Sequence, residues 1–372
     1  MDSTMALRIA VIRGDGIGPE LLDAALTVLT AVTSVSPGLS LSYVEIDAGA
    51  ERFRRTGSAM SPADLELIRS QVDATIKGPV GLPDVRTPEG TEAGLLGGIL
   101  RTGLDTYANV RPVKLYPGVT SPLRAEPGSI DYVIVRENTE GLYAARGKGV
   151  GNKWAICDPL IMTYEGCLRV CRFAFELAMR RSGAPADGVR RVTCVDKSNV
   201  LASFALFRRV FHEVAEQYPE VVAEAIYADA AAQLLVLQPE HLDVLVMENF
   251  LGDILSDLGG ATVGGISNCP SGNIGDGRSY FEPIHGSAPA LAGQGIANPL
   301  GQVLAAAMML DHLGHHREAR LIEDAVTDTL AAGELRLTRQ GGATEGPARA
   351  ASAIAARVLS LAANVPPGSL AG

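Results

Sequence analysis

Arg101 and Arg111 bracket the segment RTGLDTYANVR, and Arg136 closes the apolar run of IDYVIVREN. Guanidinium forks match planar carboxylates in two-point contacts, so three of them at segment ends fit a site for a small molecule with several carboxylates. Ordinary surface ion pairs are the alternative. Carboxylates form a second set. MENFLGDILSDLGG places Asp253 and Asp257 four residues apart on one face at the start of an expected helix, and Asp229 ends AIYAD. Adjacent like charges need a cation or hydrogen bonds to offset them, and a set of carboxylates without histidine or cysteine suits Mg²⁺ or Mn²⁺. First-turn aspartates favoured by the helix dipole are the plainer explanation. Lys197 in VDKSNVLAS falls between a strand and a helix, where desolvation or a nearby cation would make it a base. Tyr143 in ENTEGLY is a candidate acid or hydrogen-bond donor.

Two glycine-rich loops could hold an anion. RGDGIGP follows a strand and opens a helix, but its spacing is G-x-G-x-G with Pro19 next, which departs from the dinucleotide fingerprint; no GK[ST] closes a P-loop. HGSAPALAGQGIANP is the better nucleotide candidate, with small residues, accessible backbone N–H groups and His285. A satisfied loop histidine is the competing explanation.

The elements that must position these residues alternate. LRIAVI reads as a buried strand, then a glycine loop, then a helix over LLDAALTVLTAV. Further strands are expected at 39–46, 73–79, 131–135, 190–196, 221–227 and 242–248, and helices at 61–70, 160–181, 200–217, 230–237, 253–262, 300–313, 317–331 and 347–363. This is an α/β rhythm, a sheet with helices on its faces. Residues 141–157 are glycine-rich and carry Trp154, as an arm, a lid or a plain loop, and the tail NVPPGSLAG is expected to fray.

The chain has 372 residues, more than one core usually organises, so two domains are expected. Hydrophobic residues are 47%, which supports real cores, and Lys plus Arg at 32 against Asp plus Glu at 42 gives a net charge of −10. That balance argues against a nucleic-acid partner. No run of 18 apolar residues and no signal-peptide pattern occurs, so neither a membrane span nor export is expected and a cytoplasmic location follows. The five cysteines are scattered and odd in number, as expected of structural thiols.

The segments GDGIGPE, LDTYANVRP, VRENTEGLY, DKSNVL, ENFLGDILSD and FEPIHGSAP…AGQGIANP together resemble, in order and spacing, the β-decarboxylating dehydrogenases: 3-isopropylmalate, isocitrate, homoisocitrate and tartrate/D-malate dehydrogenases. The resemblance implies a two-domain isopropylmalate dehydrogenase-like fold with one continuous twisted mixed sheet, not a standard Rossmann fold. It divides the chain into a larger domain, 1–106 plus 264–372, and a smaller one, 107–263, with the dimer interface and the arm. It implies a homodimer with composite sites acting on a small hydroxy diacid. Arg101, Arg111 and Arg136 match its malate binders. Tyr143 matches the tyrosine that protonates the enol carbon, and Lys197 the lysine lent by the other subunit. Asp253, Asp257 and the partner's Asp229 match its metal ligands for Mg²⁺ or Mn²⁺. The adenosine loop corresponds to His285, Gly286, Ser287, Ala288, Ala290 and Asn298.

The chain departs from the family pattern in three places. Ala290 replaces the aspartate of NAD users and is not the lysine found in NADP-using isocitrate enzymes; NAD is expected, with NADP open and Arg336 or Arg339 able to serve a 2′-phosphate. EAGLLGGILR lacks the Ser-x-Asn element of isocitrate enzymes, so Leu95, Leu96 and Ile99 are expected around an apolar substituent, with 3-isopropylmalate or another 3-substituted malate ahead of tartrate, D-malate or a tri-acid. Glu92 stands where a carboxylate nears the nicotinamide. LTRQGGATEG lacks an aspartate near Gln340. A regulatory subunit that keeps the fold is the non-enzyme alternative.

Overall fold

The computed structural model describes residues 6–88 and 90–364; of the tail expected to fray, only Asn364 lies among them. One ten-stranded sheet runs through the protein. In spatial order its strands are β2 (Leu41–Glu45), β1 (Leu7–Ile12), β3 (Ala74–Lys77), β12 (Tyr280–Pro283), β11 (Pro270–Ile274), β4 (Ala108–Lys114), β5 (Asp131–Glu137), β10 (Val244–Met247), β8 (Arg191–Asp196) and β9 (Val222–Tyr227). Pairing is parallel except around the middle, where β11 is antiparallel to both β12 and β4, and β4 to β5. The sheet is therefore mixed and continuous, as expected.

Both faces of strands such as β1, β5 and β10 are covered, which is why LRIAVI, YVIV and VLVM read as unbroken apolar runs rather than alternating ones. Side chains alternate along a strand, and the cores divide accordingly. Ile9 and Val11 of β1 pack with α1 (Gly18–Val35), α9 (Leu300–His312), α10 (His316–Ala331) and α11 (Pro347–Ala363). Ala10 and Ile12 pack on the other face with α3 (Pro62–Gln71) and α4 (Gly97–Gly103). In the other half, Val133, Val135, Val244 and Val246 meet α5 (Tyr164–Arg180) and α6 (Ala202–Ala215). Tyr132, Ile134, Leu245 and Met247 meet α7 (Ala228–Leu237) and α8 (Asn249–Thr262). The short α2 (Ala50–Thr56) adjoins the first glycine loop.

Sequence patterning missed the three central strands. PSGNI and YFEP lack a β-branched run, and β4 contains Pro112. Proline is tolerated there because β11 pairs only with Ala108–Val110, so the absent N–H breaks no ladder on that side. Residues 141–157 do form structure: β6 (Val150–Asn152) and β7 (Ala155–Cys157) make a separate hairpin that holds Trp154 84% exposed. Helix α8 begins at Asn249, four residues earlier than expected, so Asp253 and Asp257 sit beyond its first turn and the helix dipole does not account for them. All five cysteines are free thiols.

Candidate active site

Side chains of β4, β5 and α8 and the turn carrying Tyr143 converge beside the middle of the sheet. Arg136, at the end of β5, is 1% exposed. Its Nε and Nη2 donate to Asn249 Oδ1 at 3.0 and 2.7 Å, and its Nη1 donates to Asp253. Arg111 of β4 donates through Nε to Asn109 Oδ1 and through Nη1 to Ser256 Oγ, and lies 3.5 Å from Asp253 and 3.9 Å from Asp257. Tyr143 donates its hydroxyl to Asp253 Oδ2 at 3.0 Å. Three of the arginine, tyrosine and aspartate groups singled out from sequence thus meet on one carboxylate, Asp253.

Electrostatics set each group's charge. Burial, then Arg111 and Arg101, lower the Arg136 pKa to about 9. Burial works against the Asp253 carboxylate, but Arg136 and Arg111 hold its pKa below the usual range. The Asp257 pKa is raised, first by burial, with Asp253 adding to the effect against the pull of Arg111. For Arg101 burial disfavours the charge, yet nearby Tyr280 and Glu282 leave its pKa raised. Arg101 Nε is buried and has no hydrogen-bond partner.

Sequence reasoning missed the residues that hold these groups in place. The Glu248 carboxylate caps α8, accepting from Phe250 N and Leu251 N, and also accepts from Leu142 N beside Tyr143. Asn109 reaches Asn273, Asn273 reaches Glu282, and Glu282 pairs with Lys77 at 2.5 Å, linking Arg111 to β11, β12 and β3. Asp15 is 2% exposed and accepts three backbone N–H groups, from Ala50, Glu51 and Gly81. Hydrogen bonds to a charged acceptor contribute about 1.5–3 kcal/mol each, enough to lock the two loops and α2 together. The only sequence signal for it was its place inside GDGIGP.

The two glycine loops pack on each other. Ile17 N donates to Ser287 O, Ser287 Oγ donates to Gly81 O, and a Cβ at Gly16 (φ 56°) would come 2.1 Å from Ser287 O. The G-x-G-x-G spacing is thus a close-approach requirement. His285 Nδ1 faces Gly286 O at 2.9 Å while its Nε2 is buried and unpartnered, and burial lowers its pKa. A Cβ on Gly286 would meet nothing within 4 Å. Ala288 holds φ 37°, and Ala290 is exposed with its carbonyl accepting from Gln294. The unpaired ring nitrogen, the open backbone and the neutral Ala290 fit an adenosine group. Asn298 is different: its amide donates to Asn268 Oδ1 and Gly341 O while its Oδ1 accepts from Leu300 N at the start of α9, so its side chain is held by the protein. Arg336 is paired with Glu345, whereas Arg339 is exposed with no ion pair among the described residues.

Two expected groupings do not form within one chain. Lys197 and Asp229 pair with each other at 2.6 Å, the lysine half-buried and the aspartate exposed, on the β8–α6 connection and the start of α7. Among the described residues no three His, Cys, Asp or Glu side chains cluster to hold a metal. Asp253 and Asp257 supply carboxylate oxygens one turn apart, a donor type that fits Mg²⁺ or Mn²⁺, with further ligands to come from outside this chain. The expected leucine wall also differs. Leu96 is fully buried among Ile12, Leu100 and Tyr280, and Ile99 packs on the same cluster. Only Leu95 is exposed, and it leans with Glu92 over Gly81.

The sequence profile of the isocitrate/isopropylmalate dehydrogenase family matches residues 8–344. The chain belongs to that family. It is 44% identical over 332 residues to 3-isopropylmalate dehydrogenase of Corynebacterium efficiens, covering 87% of this chain and 93% of the relative. It is 43% identical to 3-isopropylmalate/3-methylmalate dehydrogenase of Methanocaldococcus jannaschii, covering 88% and 92%. Among solved structures it resembles isocitrate dehydrogenase from Methylococcus capsulatus, with TM-score 0.83, 35% identity and coverage of 95% and 99%. It also resembles a β-decarboxylating dehydrogenase from Thermococcus kodakarensis, with TM-score 0.77, 37% identity and coverage of 96% and 98%. As a member of the isocitrate/isopropylmalate dehydrogenase family, the protein is a β-decarboxylating dehydrogenase.

Proposed function

We propose that the protein oxidises a 3-substituted malate at C2 and removes the carboxylate on C3, using NAD and Mg²⁺ or Mn²⁺. The observation that carries this reading is the convergence of Arg111, Arg136 and Tyr143 on Asp253, with Arg101 alongside. Relatives named 3-isopropylmalate dehydrogenase and 3-isopropylmalate/3-methylmalate dehydrogenase support this reading.

The arginines bind and orient the two carboxylates common to all malates, fixing C2 toward the cofactor loop and C3 for bond cleavage. Tyr143 holds a proton at its hydroxyl, its pKa raised first by burial and then by Asp253, and delivers it to C3 after carbon dioxide leaves. Lys197 of a second copy takes the proton of the C2 hydroxyl. Asp253 and Asp257, with the partner's Asp229, would hold the divalent ion, which supplies Lewis acidity at the C2 oxygen. His285, Gly286, Ser287, Ala288 and Ala290, with the backbone of Asn298, would hold the adenosine of NAD, which accepts the hydride, and Glu92 would stand near its nicotinamide. NADP use would fall to Arg339.

A composite homodimer is supported by exposed apolar side chains beside the groups to be shared: Val200 and Leu201 next to Lys197, Leu237 on α7, and Phe250 and Ile254 on α8. In this reading residues 1–106 plus 264–372 form one domain and 107–263 the other. No helix among the described residues is long and apolar enough to cross a membrane, and a cytoplasmic location goes with the metabolic reaction. The direct test is reduction of NAD with a panel of 2-hydroxy diacids and Mn²⁺, together with carbon dioxide release.

A further inference from the structure

A carboxylate–guanidinium pair lies directly behind Lys197 and takes no part in the chemistry described above. Strands β8 and β9 run parallel with Asp196 opposite Tyr227, so Lys197 and Asp229 follow neighbouring strand ends. Asp196 is fully buried. Side chains alternate along β8, and Asp196 shares the face on which Cys194 packs with α6. There Arg208 of α6 donates to it in a two-point fork, from Nε to Oδ2 at 2.7 Å and from Nη2 to Oδ1 at 3.0 Å. Oδ1 also accepts the backbone N–H of Ser198, the residue after the lysine, at 2.8 Å. The Lys197 carbonyl in turn accepts from Val200 N and Leu201 N, which leads the chain into α6. The backbone of Lys197 is thus fixed by its neighbours on both sides and by its own carbonyl.

Tyr227 connects this backbone clamp to the lysine side chain. Arg208 Cζ lies 5.0 Å from the centre of the tyrosine ring, and Lys197 Nζ lies 5.7 Å from it. One aromatic face therefore attracts both cations. Asp229 accepts from the same ammonium at 2.6 Å. A buried charge pair adds little net stability, because desolvation offsets the attraction. What the fork does supply is a directional hold on one turn of backbone.

We propose that Asp196, gripped by Arg208, is a positioning residue for Lys197, and that the ring of Tyr227 directs the lysine side chain. The inference rests on the reading in which Lys197 takes the proton of the C2 hydroxyl in a second copy's site. A lysine lent across an interface must be placed by its own chain, and the clamp at the end of β8 does this.

The experiment measures steady-state kinetics with NAD and Mn²⁺ on the fastest substrate among 3-isopropylmalate, 3-methylmalate, D-malate and isocitrate. Arg208→Lys keeps a charge beside Asp196 but loses the fork. It lowers kcat by about tenfold or more, as a reacting group displaced by a fraction of an ångström does, and leaves KM within about twofold because the substrate's arginines are untouched. Tyr227→Leu also lowers kcat, and Tyr227→Phe, which keeps the ring face, restores most of the loss. The deciding readout is a double-mutant cycle. With Lys197→Met already in place, Arg208→Lys changes kcat by less than about twofold, because the clamp has no lysine left to place. An equal loss in both backgrounds assigns the pair to folding or assembly and overturns the inference. So does an unchanged kcat in Arg208→Lys or Tyr227→Leu, and in these cases the dehydrogenase reading stands. If Lys197→Met leaves kcat intact, the role of the lysine and the inference fail together. Absence of turnover with all four substrates overturns the dehydrogenase reading and the inference with it.

Discussion

Glu248 accepts the backbone N–H of Leu142 at 2.8 Å with one carboxylate oxygen while the other caps α8 through Phe250 N and Leu251 N. One buried side chain therefore sets the turn that carries Tyr143 against the helix that carries Asp253 and Asp257. Glu248→Ala should lower stability by about 1–2 kcal/mol from the lost cap. It should also lower kcat more than it raises KM, because the tyrosine loses its position relative to Asp253. Urea unfolding and steady-state kinetics on the same preparation check both. An unchanged kcat would show that Tyr143 is positioned by other contacts.

Asp257 is held near Asp253 with its pKa raised, an arrangement that a bound cation would relieve. Asp257→Asn should raise the Mn²⁺ concentration for half-maximal turnover by about 100-fold or more, since weaker outer contacts already change metal affinity 10–100-fold. Titration of chelator-treated enzyme with Mn²⁺ gives the value.

Lys197 and Asp229 pair at 2.6 Å on an exposed, partly apolar surface. Lys197→Met should cut kcat by about 10²–10⁴-fold, the range for loss of a general acid–base group, with the dimer mass unchanged in sedimentation. Dissociation into monomers would assign the lysine to assembly instead.

Glu323, on α10 away from the cleft, has its pKa raised by burial, with Lys114 opposing the shift and Asp311 and Asp131 adding to it. A carboxyl raised in the folded state costs stability above its folded pKa, where both states are ionised. It costs nothing below the unfolded value of about 4.3, where both are protonated. Glu323→Gln should therefore raise the urea midpoint at pH 7.5, and the two proteins should converge near pH 4. A constant difference across that range would point to packing rather than charge.

The outer strands and long helices were legible because each buries one continuous pattern: VLVM and the α11 segment, for example, carry their period in the sequence. The middle of the sheet was not. Asn109, Asn273 and Asn138 bond across β4, β11 and β5, so polar side chains occupy a fully buried place that hydrophobic periodicity excludes. The arginines and aspartates of the site were named from their types and spacing, but their supports were not. Glu248, Asn249 and Asp15 act through carboxylate and amide contacts to residues up to 113 positions away, as between Arg136 and Asn249. Leu96 was placed at the substrate because GLL followed by LR resembles isopropylmalate dehydrogenase, whereas at the start of α4 it packs into the core.

The central claim is that one cleft couples oxidation at C2 to loss of the C3 carboxylate of a substituted malate. The measurement is the yield of reduced NAD and of carbon dioxide from the preferred member of the diacid and tri-acid panel, with Mn²⁺ and again with chelator. The account predicts equal molar yields of the two products with the ion and neither with chelator. Reduced NAD without carbon dioxide, or turnover that persists in chelator, would contradict it.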